Sequence, residues 1–154
     1  MTTAMALFGA CASIGGNELS IRMGRQRLIR MAMAGSMICA LTMGFLGGFN
    51  YPVAAFLVVL YGIVIWLDSS SLTAGAAGSA HPDRRGATLA VHSMLGYGGG
   101  FIGPVMLGWI LDSANGPSHL AWGLAFGHIA IAMLGARIAF TWLRPKALEG
   151  DHRT

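Results

Sequence analysis

Residues 52–79 read PVAAFLVVLYGIVIWLDSSSLTAGAAGS, and this stretch decides the fold. A helix needs about 20 mostly apolar residues to cross the hydrocarbon core of a bilayer. The run from Pro52 to Ser79 exceeds that length and holds one charged residue, Asp68. Four more apolar blocks flank it, at about residues 4–16, 28–49, 86–111 and 120–143. The first is short for a span, or the tail of a longer helix. Five blocks joined by short loops predict an all-α, multi-pass bundle over residues 1–145. A cytoplasmic tail is expected at 146–154.

Composition supports that reading. Of 154 residues, 55% are hydrophobic, 23 are glycine and only 10% are charged; a soluble domain carries roughly 25% charge. Mean hydropathy is +0.62. A soluble domain must cover its surface with charge, and a disordered chain needs low hydrophobicity, so both classes are excluded. The net charge of +4 comes from arginines lying between the apolar blocks. That is where topology-setting charges sit, so the basic balance points to lipid and not to nucleic acid. Nine of the ten basic residues are arginine. With so much Ala and Gly, this usage reads as a GC-rich, bacterial coding sequence. Cys11 and Cys39 fall in apolar blocks without metal or redox spacing and are expected to be small buried hydrophobes.

The loops alternate in charge. Arg22, Arg25, Arg27 and Arg30 lie between blocks one and two. GGFNYP, between two and three, has no charge. Arg84 and Arg85 lie between three and four, and DSANGPSH, between four and five, carries Asp112 alone. Arg144, Lys146 and Arg153 follow block five. Positive loops stay cytoplasmic, so five spans place the amino terminus outside and the carboxyl terminus inside. Tyr51, Trp109 and Trp122 then fall at outer ends and Trp142 at an inner end, the interfaces that such rings favour. Pro82 and Asp83 read as a helix start. Glu18 precedes Arg22 by four, a favourable helical pair.

Small residues set helix packing in lipid. In block four, Gly96, Gly100, Pro104 and Gly108 are spaced by four, with Gly99 and Gly103 beside them. Pro104 removes a ladder bond to Gly100, so a bend or hinge is expected there. Ser71, Gly75 and Ser79 repeat the spacing in block three, and Gly123, Gly127 and Gly135 recur in block five.

An ionisable residue within a span is a functional candidate. Asp68 lies roughly 24 Å along its helix from Pro52, in the inner half of the bilayer. Asp68, Ser71 and Gly75 share one face, and Ser69 and Thr73 share another. Such a polar stripe needs protein or water beside it. Asp68, Ser71 and Thr73 are therefore candidates for a solute path or gate. The competing reading pairs Asp68 with Arg84 or Arg85 as an anchor. Arg137 is expected to snorkel inward or to pair with an acid. His92 and His128 lie within blocks and read as packed, hydrogen-bonded residues. G-x-S-x-G, H-E-x-x-H and cysteine clusters are absent, so neither an enzyme, a metal nor a cofactor is expected.

GNELSIRMGRQRLI, residues 16–29, resembles the basic loop motif of the major facilitator superfamily, through Gly16, Leu19, Arg22, Gly24, Arg25 and Arg27. Ile21 stands where the stronger copy of that motif has an acid. GYGGGFIGPVMLG, residues 96–108, is similar to the Gly–Pro motif of the family's eleventh helix. The resemblance covers about residues 4–145 and implies helices eight to twelve of a twelve-helix secondary transporter. That family binds a small solute between two halves and rocks them about it. The chain is then expected to need an amino-terminal half or another membrane chain. The rival expectation is a non-transporting membrane module that docks on another chain.

Overall fold

A computed structural model describes residues 2–48 and 50–143. The expected tail at 146–154 lies outside the described residues, as does Arg144.

The first helix, α1, runs Thr2–Met23. It continues past the apolar block at 4–16, through Asn17–Met23. There Glu18 and Arg22 form the expected i, i+4 ion pair at 3.0 Å. The basic motif is therefore not a loop. Gly16, Leu19 and Arg22 lie on α1, and Arg25 and Arg27 begin α2, Arg25–Leu46. Gly24 alone joins the two helices, at φ 90° and ψ 133°. Residues with a Cβ rarely adopt that backbone. Its N–H donates to the Ser20 carbonyl (3.0 Å), and its own carbonyl accepts from Leu28 N (3.1 Å).

Block three is two helices, α3 (Tyr51–Trp66) and α4 (Ser69–Ser79), where the sequence predicts one. Asn50 caps α3 by accepting from Val53 N at 3.0 Å, with proline in the first turn. A 3-10 turn, Pro82–Arg84, starts block four as the Pro–Asp pair predicts, and α5 follows over Arg85–Ser113. Helix α5 passes Gly100 and Pro104 without interruption. Ser118 then caps α6, His119–Trp142, by accepting from Ala121 N at 3.0 Å.

The described residues form helices and turns, with no strand among them. Four segments are long and apolar enough to cross a membrane: α2, α3 with α4, the turn with α5, and α6. Helix α1 matches α2 in length, 22 residues, but its second half is polar. Among the described residues, membrane-capable helices therefore number four where the sequence predicts five spans.

Helix α2 is the hub and packs on α1, α3, α4 and α6. Its buried face carries Leu28, Ile29, Ala32, Ser36, Ala40, Met43 and Gly44. The broadest contact is with α6, through Ala121, Gly123, Ala125 and Ala130. Backbones approach closely there. A Cβ on Gly44 would lie 2.9 Å from Phe126 Cβ and 3.1 Å from the Trp122 carbonyl oxygen. Helix α5 bridges α4 and α6 at the edge of the bundle and buries no residue.

Candidate functional site

The polar stretch of block three lies where α1 crosses the junction of α3 and α4. At this break the ladder changes spacing. Leu67 N donates three residues back, to Val64 O at 3.3 Å. The four-residue step returns with Leu72 N to Asp68 O at 2.8 Å. Two causes act together. Asp and Ser side chains compete with the helical ladder, and four of them follow Leu67 in a row. The Leu67 carbonyl also sits directly against Gly16, where a Cβ would overlap it.

Helix α1 meets the break with small residues. A Cβ on Gly9 would lie 2.8 Å from Trp66 Cδ1. The Ser13 carbonyl accepts from Ser70 Oγ at 2.6 Å. Gly16 receives the Leu67 carbonyl. Gly9, Ser13 and Gly16 follow the i, i+4, i+7 spacing of one helix face. The sequence does not single out this stripe, because block one at 4–16 reads as short for a span and its partner, the break after Leu67, is not visible in it.

Ser71 is fully buried at the centre of the site. Its carbonyl accepts from Arg25 Nη1 at 3.4 Å. Its hydroxyl has no hydrogen-bond partner among the described residues, a costly state for a buried polar group. Gly75 is buried one turn on, as the shared face predicts. Thr73 is on the opposite, exposed face and donates to the Ser69 carbonyl at 3.0 Å. It also meets His92 Nε2 on α5 at 3.3 Å. With the hydroxyl proton committed to Ser69, the imidazole N–H is the donor in that contact.

Asp68 sits in the break itself and caps α4 without a side-chain bond to it. The anchoring pair with Arg84 or Arg85 is not formed. Among the described residues the ion pairs are Glu18–Arg22 and His81–Asp83. Asp68 is half-buried in the break, whereas Arg84 and Arg85 are exposed at the start of the next helix.

The basic motif divides in function. Gly16 provides the close approach, Gly24 the turn, and Arg25 the bond to Ser71. Leu19, Arg22 and Arg27 are exposed. Arg137 meets no acid among the described residues. Its Nη1 donates to the Arg30 carbonyl on α2 at 2.6 Å. His128 is hydrogen-bonded through Nδ1 to the Ala125 carbonyl, one turn back. Cys39 is half-buried, but Cys11 is exposed on α1 and is not the buried hydrophobe expected.

The glycines of α5 depart furthest from expectation. A Cβ on Gly96, Gly99, Gly100, Gly103 or Gly108 would meet nothing within 4 Å. Packing among the described residues does not use them. No protein-family model matches the chain, and no curated protein or solved structure is recognisably similar to it.

Proposed function

We propose that the chain is the carboxyl-terminal part of a secondary active transporter of the major facilitator type, moving a small solute by alternating access. Five spans, an outer amino terminus and a cytoplasmic carboxyl terminus in a bacterial inner membrane belong to this reading, with α1 as the fifth span. The broken α3–α4 helix carries it. Discontinuous helices with polar residues at the break are where secondary transporters hold solutes and coupling ions. Asp68, Ser71 and Thr73 stand at or beside that break, next to Arg25. In this reading Asp68 and Ser71 line or gate the path, and Gly24 and Arg25 fix the inner end of α1 and α2 against α4.

A second reading is favoured by α5. Its glycine face and its lack of buried residues call for a second membrane surface. A module that docks on another membrane chain without transporting would present the same face.

Both readings predict that the purified chain, alone in liposomes, moves no solute. Saturable uptake by the chain alone, abolished by Asp68→Asn, would overturn the need for a partner. Topology is tested by labelling single cysteines at Asn50→Cys and Ser113→Cys in intact cells. Both should react with an impermeant reagent from outside, and reaction only from the cytoplasm would reverse the assignment.

A further inference from the structure

Arg30 on α2 and Arg137 on α6 meet at the seam between the two most extensively packed helices. Arg137 Nη1 bonds the Arg30 carbonyl at 2.6 Å, and Arg30 Nε bonds the Gln26 carbonyl at 3.3 Å. Both residues are half-buried. Neither has a carboxylate within ion-pairing distance among the described residues. Arg27, one turn before Arg30, is exposed and likewise lacks an acid. A guanidinium held partly out of water without an acid is unfavourable until a counter-charge arrives. A guanidinium has five N–H donors in a planar fork, and one backbone carbonyl leaves most of them available.

The surface leading away from these arginines is apolar. Along α2 the residues sharing the Arg27 and Arg30 side are Met31, Ile38, Leu41 and Phe45, all exposed. Leu41 and Phe45 enter a cleft of about 500 Å³ that Leu124, Gly127 and Ile131 of α6 complete together with Ile110 of α5. From Arg30 to Leu41 is about 16 Å along the helix, roughly half the hydrocarbon thickness of a bilayer. The seam thus sets two arginines without an acid among the described residues at one end of an exposed apolar stripe on α2 that leads to this cleft.

We infer that this seam binds an anionic glycerophospholipid, its phosphodiester held by Arg30 and Arg137 and one acyl chain lying along α2 to Leu41 and Phe45. Guanidinium groups take phosphate oxygens in forked, charge-assisted pairs. Basic pockets between helices near a membrane surface are suited to such headgroups. A free phosphate would supply the counter-charge but leave the groove bare. The inference rests on the membrane reading proposed above.

Native mass spectrometry of the detergent-purified full chain tests it, with equimolar phosphatidylglycerol and phosphatidylcholine of the same acyl chains. Phosphatidylglycerol should be retained roughly 30-fold more strongly, the ratio two arginines near an anionic surface give. Arg30→Gln with Arg137→Gln should remove the preference, and Arg84→Gln with Arg85→Gln should keep it. Equal retention by the unaltered chain overturns the inference whether or not the variants fold. So does equal competition by glycerol phosphate, which would make the site a free-anion site. A counter-charge supplied by an acid on a partner chain would likewise leave the unaltered chain without a headgroup preference. Alkaline carbonate washing of membranes separates the two readings. A chain that washes off refutes both, whereas an embedded chain without headgroup preference refutes this inference alone.

Discussion

Gly44 and Gly100 are both glycines in long apolar helices, and their surroundings are opposite. Gly44 on α2 lies against the backbone of α6 at Trp122–Gly123. Gly100 on α5 faces open space, as do Gly96, Gly103 and Gly108. One region uses the missing Cβ to bring two backbones together. The other keeps the same feature with nothing yet against it. A glycine in a helix interior costs about 1 kcal/mol relative to alanine, so an unused row is a standing cost without return inside this chain. The comparison separates what the chain packs by itself from what it presents.

Four substitutions sharpen or break that comparison, each read as the thermal unfolding midpoint of the purified chain in detergent. Gly16→Val should have the largest effect. Its methyls would collide with the Leu67 carbonyl, a backbone group that cannot rotate away, and the loss should exceed the about 1–3 kcal/mol of ordinary overpacking. An unchanged midpoint would mean that α1 does not seat on the break. Gly44→Ala comes next, at about 1–3 kcal/mol of destabilisation, because Phe126 Cβ and the Trp122 carbonyl have little room to yield. Ser71→Ala should run the other way and gain about 1 kcal/mol, since it removes a buried hydroxyl that lacks a partner. A loss there would reveal a bond this hydroxyl makes in the folded chain. Gly100→Ala should change stability least, with a gain of less than about 1 kcal/mol from helix propensity. If Gly100→Ala destabilises the lone chain as much as Gly44→Ala does, the contrast between the two helices is gone.

Much of the architecture was legible in the residues. Block boundaries near 28–49, 86–111 and 120–143 reappear as α2, α5 and α6, because apolar length is a property of composition and needs no partner. Caps were equally local: Asn50, Ser118 and the Pro82–Asp83 start act within one turn of themselves. The site was legible in part. The shared face of Ser71 and Gly75 and the pairing of Thr73 with Ser69 follow from helical periodicity. The break at Leu67–Asp68 does not. The local Asp–Ser run is only half of its cause; the other half is a contact of the Leu67 carbonyl with Gly16, far away in the chain. The Arg30–Arg137 seam was hidden for the same reason. An arginine seeking an acceptor is satisfied by a backbone carbonyl, and every residue offers one, so no side-chain pattern marks it. Residues of the basic motif read as loop because charge and glycine usually end helices; here α1 continues through the Glu18–Arg22 pair to Met23.

The one-residue link at Gly24 has a bearing on how the chain enters a bilayer. Helices α1 and α2 are joined by this single residue with no slack between them, so if α1 is the fifth span proposed above the two insert together. They form a single wedge whose tip bears Arg22, Arg25 and Arg27. Pulling that tip through the hydrocarbon is far costlier than leaving it where synthesis put it. In the reading proposed above, the pair enters as one unit with its arginines left behind, and the side that keeps them sets the direction of α3 onward.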